Sequence, residues 1–171
     1  MKLRSYVLLC HAAIEEYLEN ISLSVLSESL RNFEADGRIR DPLLSACSYY
    51  KILLSEEAQT RNPDDKAHDL LLKIFKKAIS EHSTSIYGVN GIKTKDQDSI
   101  LLPIGVRLFD FDRLLSQSLH TFGGVRGKFA HGFGFRTVTP RAGLESNVRN
   151  IFSLIRPLDN TLCKRHEVSF A

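Results

Sequence analysis

Cysteine is scarce: Cys10, Cys47 and Cys163 stand far apart in 171 residues, with no CxxC pair. An odd, scattered set excludes a disulfide framework and points to thiols in a reducing compartment. Long apolar runs are missing too, and none approaches the ~18 residues of a membrane span. Lys2 and Arg4 precede the run Val7-Leu8-Leu9-Cys10. That run is shorter than the roughly 7–15 residues of a secretory apolar core, and it continues into Glu15-Glu16 with helical spacing. The chain reads as soluble and cytoplasmic, with no membrane partner. Net charge is small: 23 Lys and Arg against 20 Asp and Glu give +3. Such a balance does not announce a polyanionic partner. GxGxxG, Walker, HExxH, GxSxG and paired-cysteine metal signatures are all absent, so no cofactor and no metal is expected.

What is present is helical periodicity. Leu3, Val7, Cys10, Ile14, Tyr17, Ile21 and Val25 recur three and four apart. This is the stripe of a long amphipathic helix from about residue 3 to 33, closing near Asp36-Gly37. Asp41-Pro42 reads as N-cap and first helical residue of a second helix reaching about Ala58. Asp64-Asp65 opens a third helix, and residues 82–96 read as a loop. A short apolar segment surrounds Pro103. Asp110 is the expected cap of a helix carrying Leu114, Leu115, Leu119 and Phe122, weakened or kinked at Gly123-Gly124 and ended by Gly132. A last helix carries Leu144, Val148, Ile151 and Ile155, and Pro157 is expected to stop or bend it. No segment alternates with period two. The expected architecture is all-α, one domain over residues 1–171, a bundle of about five helices.

Charge is uneven along this bundle. Residues 1–125 carry 15 Lys and Arg against 17 Asp and Glu; residues 126–171 carry 8 against 3. The basic excess begins at Arg126, inside the densest cluster of glycine and polar residues, Phe122-Gly123-Gly124-Val125-Arg126-Gly127-Lys128-Phe129-Ala130-His131-Gly132. Glycine costs roughly 1 kcal/mol in a helix interior. A sequence accepts that cost where backbones, or a backbone and a phosphate, must approach closely. Arg126 and His131 enclose four residues. Spacing alone says little, because Arg4/His11, Arg61/His68 and Arg113/His120 fit a looser version of it. The context says more. A guanidinium pairs with phosphate oxygens, and an imidazole titrates near neutrality and can move a 2′-hydroxyl proton. Neither step needs a metal. A helix C-cap with an incidental cation pair explains the same residues. His11 and Glu15, at i and i+4, fit a surface or interhelical pair better than a metal site.

The cluster resembles the HEPN superfamily, whose members carry Arg, four to six residues and His near a helix end. Arg126-Gly127-Lys128-Phe129-Ala130-His131-Gly132 is similar to that motif. His11-Ala12-Ala13-Ile14-Glu15-Glu16-Tyr17-Leu18 resembles the first helix of the RiboL-PSP-HEPN group, as do Gly91-Ile92-Lys93 and Leu101-Leu102-Pro103-Ile104-Gly105. The resemblance implies a metal-independent endoribonuclease, acting as a homodimer with one composite cleft, in a toxin or phage-defence (abortive infection) setting under an antitoxin or other regulatory protein. Arg126 would then orient the scissile phosphate, and His131 would serve as general base or acid in attack by the 2′-OH, leaving a 2′,3′-cyclic phosphate. Glu15 would orient one of these two, and Lys128 would hold flanking RNA. Two departures stand out: Gly127 occupies a place often taken by Asn, and Phe133 one often taken by Tyr. The alternatives are a non-catalytic helical module that binds RNA or a partner protein, and a structural dimer whose glycines serve packing.

Overall fold

The computed structural model describes residues 3–53, 66–130 and 141–166. Helix α1 (Leu3–Asp36) is its axis. At 1.5 Å per residue its 34 residues run about 51 Å. Val7, Ile14, Leu18, Ile21, Val25 and Leu26 are fully buried. Cys10 and Tyr17 of the expected stripe are only half-buried, while His11, Ser22 and Ser29 are buried in their place. The apolar stripe is thus broader than the sequence suggests and takes neighbours on several sides. Gly37, at φ 70°, closes the helix by donating its N–H to the Phe33 carbonyl at 2.9 Å.

Around α1 stand α2 (Asp41–Tyr49), α3 (Ala67–Ile86), α4 (Thr94–Leu101), a short 3₁₀ turn (Leu102–Ile104), a single helical turn α5 (Leu108–Phe111), α6 (Arg113–Ala130) and α7 (Arg141–His166). The described residues are all-helical, as expected, but with seven α-helices rather than about five. The extra pieces come from splitting. Residues 82–86 belong to α3, because His82 and Ile86 continue its buried face, and residues 94–96 already belong to α4. The intended loop shrinks to residues 87–93. Helix α2 ends at Tyr49, not near Ala58, where Lys51 takes φ 54° and the Ile52 N–H reaches the Cys47 carbonyl. The Asp64-Asp65 start and the Gly132 stop lie outside the described residues.

Asp112, not Asp110, caps α6: its carboxylate accepts the Leu115 N–H at 2.9 Å. Gly123-Gly124 does not interrupt α6. Pro157 does not end α7 either, although an interior proline costs about 3 kcal/mol. Leu158 and Leu162 continue the buried stripe of Ile151 and Ile155 past it. Just beyond Pro157, the Tyr17 hydroxyl donates to Asp159 at 3.0 Å. Packing against α1 holds the helix through its weak point. A smaller core of Phe33, Leu43, Leu70, Ile74 and Phe75 fixes α1, α2 and α3 at one end. The larger core joins α1 to α4, α6 and α7, and sets the candidate site at the other end.

Candidate active site

In the last turns of α6, Gly123, Arg126 and Gly127 stand three and four apart and therefore share a face. That face meets His11 on α1 and the loop 87–93. The open cavity between them has a volume of about 310 Å³, lined among others by His11, Asn90, Lys93, Asp96 and Arg126. Gly123 makes the close approach expected of a helix glycine. A Cβ there would sit 3.2 Å from Lys93 Cγ and 3.4 Å from Ile92 Cγ1. Gly124 and Gly127 do not: among the described residues nothing lies within 4 Å of a Cβ at either position.

Helix α4 is fastened to α6 at two levels. The Ser116 hydroxyl donates to Gln97 Oε1 at 2.6 Å, while Gln97 Nε2 donates to the Ser116 carbonyl at 3.0 Å and the Ile92 carbonyl at 2.8 Å. One turn away, the Thr94 N–H donates to His120 Nδ1 at 3.3 Å. Gln97 thereby holds the wall of the cavity at Ile92. Asp96 shapes the same wall. Its Oδ2 accepts the Lys93 N–H at 3.0 Å, and it occupies space that a Cβ on Gly91 would need, 2.5 Å away.

Opposite stands the pair His11 and Glu15, with Nδ1 and Oε2 3.5 Å apart. His11 is 2% exposed and its ring stacks on Phe122 with centroids 6.4 Å apart. Burial first, and the Arg126 charge second, bring its pKa down to about 4, with Asp96 opposing, so the imidazole is neutral at pH 7. Burial raises the Glu15 pKa; the Arg126 charge lowers it, Asp96 raises it and the Gly91 N–H lowers it. Glu15 Oε1 is buried without a hydrogen-bond partner among the described residues. Arg126 acts on both groups, and it is half-buried. The cavity is thus a polar chamber lined by the Arg126 guanidinium, the Lys93 side chain, the Asp96 carboxylate and the neutral His11 imidazole, with Glu15 beside His11.

Of the expected site residues, the structure brings Arg126 and Glu15 together. Lys128 is exposed, in the last turn of α6. His131 lies outside the described residues. The chain enters it from Ala130, whose carbonyl accepts a hydrogen bond from Arg4 at 3.3 Å. Sequence reasoning missed Asp96, Asn90 and the site role of His11. Only the His11/Glu15 spacing gave a signal, and it read more naturally as a surface pair. Among the described residues no three His, Cys, Asp or Glu side chains are grouped to hold a metal ion. No helix among them is long and apolar enough to cross a membrane.

The family model of RiboL-PSP-HEPN matches residues 2–164, nearly the whole chain. The chain belongs to the RiboL-PSP-HEPN family. Neither the curated proteins nor the solved structures contain a match to it. Membership of a HEPN family accounts for the all-helical bundle.

Proposed function

We propose that this HEPN protein is a metal-independent endoribonuclease. The observation that carries the proposal is the meeting of Arg126 and His11 in the lining of one polar cavity at the end of α6, with Glu15 beside His11 and within reach of the Arg126 charge, one residue before His131 in the chain. Arg126 pairs with the oxygens of the scissile phosphate and offsets the charge that builds there during attack. The 2′-hydroxyl attacks phosphorus, the bond to the 5′-oxygen breaks, and a 2′,3′-cyclic phosphate remains. His131 moves a proton in this step. Glu15 orients Arg126 from α1. Lys128 holds flanking phosphates, and its exposure suits that role.

The site serves in a homodimer, where two such α6 ends flank one cleft and the basic excess that begins at Arg126 counts twice along the bound RNA. The setting is defence or toxin action under a regulatory protein. The experiment is cleavage of a labelled RNA in EDTA, with Arg126→Ala and His131→Ala beside the wild type. Each variant should lose cleavage while keeping its helical signal. Full activity in both would overturn the mechanism. RNA binding that weakens with salt but yields no products would instead favour a non-catalytic binding module.

A further inference from the structure

We propose that His11, backed by Glu15, is the proton acceptor for the attacking 2′-hydroxyl. The proposal rests on the ribonuclease reading above and assigns His11 a role in the same reaction. Four observations support it. His11 lines the cavity that Arg126 lines. Its Nδ1 is turned to Glu15 Oε2 at 3.5 Å, which leaves Nε2 as the nitrogen for a ligand in the cavity. The Phe122 ring lies beside the imidazole, with centroids 6.4 Å apart and planes 28° from parallel. The imidazole is in its base form at neutral pH, because burial and the Arg126 charge both disfavour its protonation.

A carboxylate behind one ring nitrogen and a reacting hydroxyl before the other is the arrangement a histidine base requires. The charged groups facing His11 from the elements around it are Glu15 on α1, Arg126 on α6 and Asp96 on α4, with Lys93 on the loop wall. A phosphate bound to Arg126 would offset the charge that holds the imidazole's pKa down. Basicity at His11 would therefore rise when substrate enters. In the step itself the 2′-oxygen bonds to phosphorus and its proton passes to His11 Nε2. The P–O5′ bond breaks, and the 5′-oxygen keeps that electron pair. It takes a proton from water, and His11 later returns its proton to water, so no other reactant is consumed.

The test uses the full chain. His11→Gln and His11→Ala should each lower kcat on the order of 100-fold in EDTA, with little change in KM. Added imidazole should restore part of the His11→Ala activity, which a packing role would not allow. In wild-type protein labelled at histidine C2, 3′-uridine monophosphate should shift the His11 signal and raise its titration midpoint. Arg126→Ala should abolish that rise. Retained activity in His11→Gln, or a His11 signal indifferent to 3′-uridine monophosphate, would overturn the proposal while leaving the ribonuclease reading intact. A wild type that cleaves no RNA would overturn both.

Discussion

Gln97 and Ser116 exchange hydrogen bonds across the α4–α6 interface while each is 1% exposed. The pair is satisfied within itself, and the second Gln97 bond reaches the Ile92 carbonyl at the cavity wall. Gln97→Leu keeps the size of the side chain but strands the Ser116 hydroxyl and the Ile92 carbonyl. An unsatisfied buried group costs about 1–3 kcal/mol. The variant should unfold at lower urea concentration by that amount, and RNA cleavage should fall further than stability does, because the wall beside Arg126 loosens. Urea denaturation and cleavage rates on the same samples check this. Unchanged stability would show that the interface repacks without the network.

The glycines of α6 divide into one that packing requires and two that it does not. Gly123→Ala brings a methyl group to 3.2 Å from Lys93 Cγ, so the wall at Lys93 must give by a few tenths of an ångström. It should destabilise the chain and cut RNA cleavage together. Gly124→Ala and Gly127→Ala meet nothing among the described residues. Each should gain up to roughly 1 kcal/mol from helix propensity. If Gly124→Ala instead destabilises a dimer without affecting the monomer, that glycine serves contact with a second copy. Thermal melts over a range of protein concentrations separate the two cases.

Much of this bundle was legible in the sequence, and the failures have physical causes. The three- and four-residue spacing of α1 marks its buried face well, since one long helix averages over many turns. Short elements lack that averaging. The start of helix α4, Thr94-Lys95-Asp96, falls in the stretch 82–96 that reads as loop, yet Ile100, Leu101 and the buried Gln97 hold it in a helix. Pro157 and Gly123-Gly124 are weak points in isolated helices that packing against α1 and α4 overrides. At the site, Arg126 was visible through its glycine-rich surroundings, and Glu15 through a family resemblance. Asp96 was not visible, because nothing in the sequence brings residue 96 to residue 15.

Two buried histidines make the fold sensitive to acid. His82 is fully buried between Ser22, whose hydroxyl lies 2.6 Å from Nε2, and Tyr50, whose hydroxyl lies 2.8 Å from Nδ1. The Ser22 hydroxyl donates to the Ile100 carbonyl, so it accepts from His82 Nε2–H, and the Tyr50 hydroxyl donates to Nδ1. This neutral tautomer satisfies both nitrogens. Burial brings the pKa of His82 down to about 4, as it chiefly does for His11. Both ordinary values are 6.5, so the unfolded chain binds more protons between these limits. Stability should be full above about pH 6.5 and fall as pH drops toward 4, by on the order of 3 kcal/mol per histidine. Glu15, with its raised pKa, opposes this fall where it takes up its proton ahead of the unfolded chain. Urea midpoints at pH 7.5, 6 and 5 should decline in that order, and a flat series would contradict the buried neutral state.

Asp96 separates charge from architecture at the site. Its carboxylate accepts the Lys93 N–H at 3.0 Å and so caps α4, and its charge faces Glu15 and His11. Asn accepts the same hydrogen bond through its amide oxygen but carries no charge. Asp96→Asn should therefore leave stability within about 0.5 kcal/mol of wild type. Asp96→Ala should cost about 1 kcal/mol through the lost cap. The charge effect has a definite sign: Asp96 raises the pKa of His11, and removing it leaves Arg126 less opposed. In Asp96→Asn the His11 titration should move further down, and 3′-uridine monophosphate should bind several-fold more tightly, because less negative charge repels its phosphate. Calorimetric titration of the nucleotide and the histidine C2 signal measure the two effects independently. Tighter binding with an unmoved His11 would place Asp96 near the phosphate but too far from the imidazole to tune it.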